Sequence, residues 1–212
     1  MRKIRKRIVR TKKTAVMISL AAVSMALLFQ WVNGDQARAS EPDRSVSLGA
    51  AQIASPSLPG EGKEWSGDSV YFGNYEGRPI KWRVLSVEGD DVFLLADKSL
   101  DCQRYNDTDA DVTWETCTMR SWLNGYGAET NKDGKDYSDS NFLNNAFSVG
   151  EQSAIKTTNV VNNDNLEYET EGGNDTSDKV YLLSIDEVTN PAYGFNSSRS
   201  NLAESRRALN TA

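Results

Sequence analysis

Residues 80–96 constrain this chain more than any other stretch. Ile80-Lys81-Trp82-Arg83-Val84-Leu85-Ser86-Val87 begins in alternation and ends apolar on both faces. Glu88-Gly89-Asp90-Asp91 reads as a turn, and Val92-Phe93-Leu94-Leu95-Ala96 is apolar throughout. Alternation at period two marks a strand with one buried face, and an unbroken apolar run marks a strand covered on both. Together they predict a β-hairpin with one end deep in a core. Such strands require paired neighbours and cover on both sides, because bare apolar edges invite association.

Other segments supply candidates for that cover. Val70-Tyr71-Phe72 is a β-prone run stopped by Gly73-Asn74, and Val180-Tyr181-Leu182-Leu183 reads as a fourth buried strand. Met119, Trp122 and Leu123 fall at helical spacing within Thr113–Asn124, with Gly125 as a C-terminal stop. Phe142, Leu143, Ala146 and Phe147 form a second apolar stripe. Ser148…Glu151 and Ser184…Glu187 fit the capping box that opens a helix, the second helix ending before Pro191. A last helix is expected over Leu202–Leu209. Residues 124–140 and 162–178 are long, polar and rich in Asn, Asp and Gly, the kind of loop that carries binding on a compact scaffold. The expectation is an α+β fold: a small antiparallel sheet with short helices and long polar loops. No internal repeat is visible.

The N-terminus has a different composition. Eight of the first thirteen residues are basic, an apolar run follows from Thr14 to Val32, and Ala37-Arg38-Ala39 is a small-x-small site. This is the pattern of a secretory signal peptide over residues 1–39, cut after Ala39 to leave Ser40. The alternative is an uncleaved anchor, since residues 14–32 are long enough to span a bilayer. Either way the body lies outside the cytoplasm, extracellular or at the cell surface, with the membrane engaged only through this segment. Residues 40–66, rich in Ser, Ala, Pro and Gly, read as a disordered linker, and 67–212 as the domain. Nine of the 24 Lys+Arg and one of the 30 Asp+Glu precede Ser40. The remainder therefore sets 15 bases against 29 acids, which argues against nucleic acid as a partner.

A histidine count of zero excludes Ser-His-Asp and Cys-His catalysis, His-ligated zinc and an imidazole pH switch. Two cysteines cannot build a four-thiolate metal site. In an exported chain Cys102 and Cys117 are expected to form a disulfide, contributing roughly 3 kcal/mol by closing their loop; two free thiols are the alternative. Asp107, Asp109 and Asp111 resemble the start of a calcium loop, with oxygen ligands at alternate positions for a hard cation such as Ca2+. The match then fails, with Val112 where an EF-hand has Gly and Thr118 where it has Glu. Asn131, Asp133 and Asp136 around Gly134 form a second oxygen-rich cluster. Both clusters read first as solvated turns. Paired carboxylates for glycoside hydrolysis are chemically available, but no pair is singled out. Gly172-Gly173-Asn174 lacks the strand, helix and Lys of a phosphate loop. Trp82 and Trp122 sit in periodic apolar segments and are assigned to the core, while Trp65 and Trp114 lie at segment edges, where a ring can stack on a sugar.

In order along the chain come Gly67–Gly73, Ile80–Leu85, Asp111–Asn124 (Asp-Val-Thr-Trp-Glu-Thr-Cys-Thr-Met-Arg-Ser-Trp-Leu-Asn), Asn145–Ser148 with Glu151, and Asp178–Ser184 with Glu187. This series resembles an uncharacterised domain of unknown function found in exported and surface-anchored proteins of Gram-positive bacteria. The resemblance carries no activity and no catalytic residues. It implies a fold analogous to C-type lectins and formylglycine-generating enzymes. Members of that family continue into a Trp-Trp-Leu-Arg-Ser-Pro-Gly stretch and a Val-Arg-Pro-Ala-Leu stretch that this chain lacks, so it looks like a domain truncated at its C-terminus. The reading that follows is a non-enzymatic exported module, ligand-binding or structural, facing carbohydrate, a surface protein or a cation. The alternatives are an exported carboxylate-dependent glycan hydrolase, or a non-functional fragment of a longer surface protein.

Overall fold

The structure is a computed structural model, and it describes residues 17–21 and 65–198. The expected helix over 202–209 and nearly all of the expected linker lie outside the described residues, as does most of the apolar leader.

Residues Met17–Ala21 form β1, and Ser69–Tyr75, Arg78–Glu88 and Asp91–Ala96 form β2, β3 and β4. β2 and β3 meet at a tight turn in which Glu76 and Gly77 both have positive φ, the requirement of a hairpin turn that matches strand twist. β3 and β4 form the predicted hairpin, closed between Glu88 and Asp91. Its pairing shifts by one residue between Val84 and Ser86. That bulge explains the sequence pattern, because it inserts Leu85 and lets Trp82, Arg83, Val84 and Leu85 all be buried in succession.

The chain then turns into α1 (Thr118–Asn124), α2 (Phe142–Ala146) and α3 (Val149–Ala154). α1 starts five residues later than its periodicity predicts, because Thr113–Thr116 is a turn that directs Trp114 toward the β-rich side of the domain. It ends as predicted, with Gly125 in the left-handed conformation and its N–H on the Ser121 carbonyl. Asn141 caps α2, and Ser148 and Glu151 close the capping box of α3. β5 (Thr158–Val160) and β6 (Thr176–Asp178) form a two-stranded antiparallel ribbon. β7 (Val180–Tyr181) covers only half of the expected strand, and α4 (Ile185–Val188) opens with the Ser184–Glu187 capping box. No helix among the described residues is long and apolar enough to cross a membrane.

The main sheet runs β2-β3-β4-β1-β7, with every neighbouring pair antiparallel. The architecture is the expected α+β class. α1 packs on α2 and β7, and α2 packs on β2. Phe142 joins these layers: its ring lies 5.2 Å from Tyr75, 5.6 Å from Trp122 and 5.9 Å from Phe147. Trp82 is fully buried, and its indole N–H donates to the Phe72 carbonyl at 2.7 Å. Gly73 has φ 73°, and a Cβ there would lie 2.4 Å from the Phe147 ring, so helix and strand approach too closely for any side chain.

Candidate functional site

Residues 161–175 leave the β5–β6 ribbon as a polar excursion held by its own Asn and Asp side chains. Asn165 and Thr170 exchange backbone hydrogen bonds at 2.8 and 3.2 Å. The Asn162 amide N–H donates to Asp175 Oδ1 at 2.9 Å, and the Gly172 N–H donates to Asp164 Oδ1 at 2.9 Å. Asn174 donates to the Glu115 carboxylate at 3.1 to 3.4 Å, tying the excursion to the turn before α1. Gly173 (φ 86°) passes so close to Thr113 that a Cβ would lie 2.6 Å from its hydroxyl. At the tip, Leu166 and Tyr168 are 88% and 65% exposed.

Between this excursion and α4 lies a cleft of about 1010 Å3. Its floor is apolar and aromatic, with Tyr105, Trp114, Val160, Leu182 and Phe195. Its exposed lining mixes amides and carboxylates, from Asn162, Asn163, Asp164, Glu167, Glu171 and Asp186, with the apolar side chains of Val161, Leu166 and Ile185. Among the described residues neither Lys nor Arg lines it.

One wall of the cleft is fixed by a buried carboxylate. Asp178, fully buried at the end of β6, accepts from Arg120 Nε at 2.8 Å, Trp114 Nε1 at 2.9 Å, the Tyr126 hydroxyl at 2.9 Å and the Thr176 hydroxyl at 2.7 Å. Arg120 also donates to the Glu115 carbonyl at 3.0 Å and stacks over the Tyr126 ring at 4.8 Å. Burial, reinforced by Asp178, raises the Tyr126 phenol well above its ordinary range. The adjoining Asn124 amide donates to the Val180 carbonyl at 2.8 Å, and its oxygen accepts the Lys179 and Val180 N–H groups. Trp114, at a segment edge in the sequence, borders the cleft as a buried residue, 7% exposed, with its N–H engaged by Asp178. Trp65 instead covers the buried Arg83 guanidinium, whose Nε donates to Asp97 at 2.7 Å.

The expected Cys102–Cys117 bridge is not formed. Cys117 takes the N-cap position of α1 and turns into the core, its thiol donating to the Trp114 carbonyl at 3.3 Å, whereas Cys102 is exposed. Burial pushes the Cys117 thiol up to about 11, which disfavours the thiolate that a nucleophile needs. Tyr105, beside it, is raised by its own burial first and by the thiol second.

The aspartates of the calcium-like run are not gathered into a ligand set: among the described residues no three His, Cys, Asp or Glu side chains converge to hold a metal. Asp107 pairs with Lys135 and accepts the Tyr137 hydroxyl at 3.0 Å. The Lys135 hydrogen bond holds its carboxyl below the usual range, and burial pushes Tyr137 up to about 12. Asp133 accepts from the Thr108 hydroxyl at 2.6 Å and the Thr108 N–H at 3.0 Å. Asn106, Asp107 and Thr108 thus pair with Asp133 and Lys135 across two loops, while Asp136 accepts the Ser138 N–H within its own loop.

These features define an α+β domain with a cleft beneath a polar excursion and, among the described residues, no group of three side chains that could hold a metal. The chain belongs to a domain family of unknown function, DUF6273, whose model matches residues 89–211. The match begins at the β3–β4 turn and takes in the Asp178 wall and the cleft, leaving β2 and β3 ahead of it. No curated protein and no solved structure matches the chain.

Proposed function

We propose that this protein is an exported binding module whose cleft takes a hydroxyl-rich, uncharged ligand, a carbohydrate of the cell surface or its surroundings. The single observation that carries this reading is the lining of the cleft: amides and carboxylates among its exposed side chains, aromatic and aliphatic side chains beneath them, and no Lys or Arg among the described residues. Amides donate to and accept from sugar hydroxyls and carboxylates accept from them, while an aromatic face packs on the C–H face of a sugar ring. An anionic ligand would meet Asp164, Glu167, Glu171 and Asp186, with no Lys or Arg among the described lining residues to compensate. Export rests on the basic and apolar pattern of residues 1–39.

A glycan array probed with the full chain tests this directly, followed by titration of Trp fluorescence with any glycan retained. Saturable binding that weakens roughly tenfold in Asn162→Ala or Asp186→Ala is expected, corresponding to about 1.4 kcal/mol. Retention of no glycan, or equal binding by both variants, overturns the reading. Turnover of a bound glycan would favour the hydrolase alternative.

A further inference from the structure

The arrangement of β4 and β7 sets up a site that the cleft does not use. β1 is antiparallel to both, so β4 and β7 run parallel to each other, separated by one strand. Neighbouring strands lie about 4.8 Å apart, so the gap is about 10 Å wide. One edge of β4 is taken by β3, and Val180 in β7 gives both its N–H and its C=O to the Asn124 amide. Each strand keeps one edge, and the two remaining edges face each other. The flanking residues are apolar: Val92, Leu94, Leu95, Val180 and Tyr181 are all buried. An extended segment entering here pairs with strands on both sides.

We propose that this gap is a strand-acceptor site, that Met17–Ala21 is its donor, and that the donor strand is exchangeable. The register is defined, with Met17 opposite both Leu95 and Tyr181, Ile18 opposite Leu94 and Val180, and Ala21 opposite Asp91. The donor lies within the stretch whose composition marks it for translocation, so one segment has two exclusive fates. While it pairs in the sheet it is withheld from a membrane, and once cut away it leaves a two-edged slot. That slot recognises an extended apolar peptide by its main chain, as in strand addition to a sheet edge. Unlike an ordinary edge, it pairs the donor on both sides, five residues against β4 and two against β7, and a proline in the donor is excluded from it.

The test begins with the full chain. Cysteines placed by Ala21→Cys and Asp91→Cys are expected to bridge under mild oxidation, since paired residues on adjacent strands fall within disulfide reach. Leu20→Cys with Asp91→Cys, one residue out of register, is not. Peptide mapping distinguishes either product from bridges to Cys102 or Cys117. A folded chain in which neither pair bridges, or both bridge equally, overturns the register. Exchange is tested by adding a labelled peptide of residues 14–24 to the full chain and to chain proteolytically cut within 22–64. The cut chain is expected to bind the peptide with at least tenfold higher affinity than the uncut chain, whose own strand competes. A Ser19→Pro peptide is expected not to bind. Equal binding by cut and uncut chain, or by the proline peptide, overturns the acceptor site. If the cut chain unfolds and the peptide does not restore it, exchange is likewise overturned; if the peptide restores it, exchange is supported.

Discussion

In the β3–β4 hairpin, Val84, Leu85, Leu94 and Leu95 are buried by neighbours whose only requirement is volume. Around Asp178, four side chains, three from residues 114–126 and one from β6, converge on one carboxylate, and each contact has a fixed direction and length. Both regions exclude water, and both support the cleft or the sheet beside it. They differ in how they tolerate error. A close-packed apolar region loses stability in proportion to the volume removed, whereas a buried charge that loses its partner leaves the partner uncompensated. Isosteric changes are therefore mild in the hairpin and severe at the wall.

The largest effect tests this contrast most directly. Asp178→Asn preserves shape but turns an amide N–H toward the donors of Arg120, Trp114 and Thr176. Breaking a buried pair of this kind is expected to cost about 4 kcal/mol, read from urea unfolding of the full chain. Leu85→Ala leaves a cavity behind the bulge and is expected to cost roughly 3 kcal/mol, while Leu85→Met should cost less than about 1.5 kcal/mol. If Asp178→Asn proves milder than Leu85→Met, the distinction between the two regions fails. Ser148→Ala removes the hydroxyl that accepts the Glu151 N–H and should cost about 1 kcal/mol, a local loss independent of both regions.

The smallest effect is pH-dependent. The folded carboxyl of Asp107 is depressed by Lys135, so its contribution is complete above the unfolded carboxylate range and is lost as pH falls through the folded value. The Lys135 and Asp107 side chains are partly exposed, and solvent screening limits the pair to roughly 0.5 kcal/mol. Stability measured from pH 6 down to pH 2 should therefore decline slightly less in Asp107→Asn than in the parent chain, and 1 M salt should remove the difference. A larger gap, persisting in salt, would mean that this loop pair behaves like the Asp178 wall.

What the sequence discloses follows the same division. The hairpin, the α2 stripe, both capping boxes and the Gly125 stop are legible because each has a period or a local signature. β5 and β6 are three residues each, too short to show a period, and they lie within or beside Asn- and Asp-rich stretches that read as loop. The polar excursion 162–178 stands out as a place for a site. The floor beneath it does not, because Tyr105, Trp114 and Phe195 come from distant stretches. Asp178 is one acid among many in the sequence. Only the fold reveals that Trp114, Arg120 and Tyr126, which looked like parts of a helix and a loop, are its partners. The disulfide expectation followed the cysteine count, but the deciding fact was the direction in which Cys117 points.

The Asp178 wall also bears on how long a folded molecule survives. Its donors stand 64, 58 and 52 residues upstream of the carboxylate in Trp114, Arg120 and Tyr126, so a long stretch of chain must close before any of these contacts exists. The β3–β4 hairpin needs no such closure and is free to form early. Interactions absent from the transition state act on the unfolding rate alone. Set after the hairpin, the Asp178 contacts are expected to act as a latch, leaving the speed of folding almost untouched and lengthening the lifetime of the native state by about a thousandfold for 4 kcal/mol.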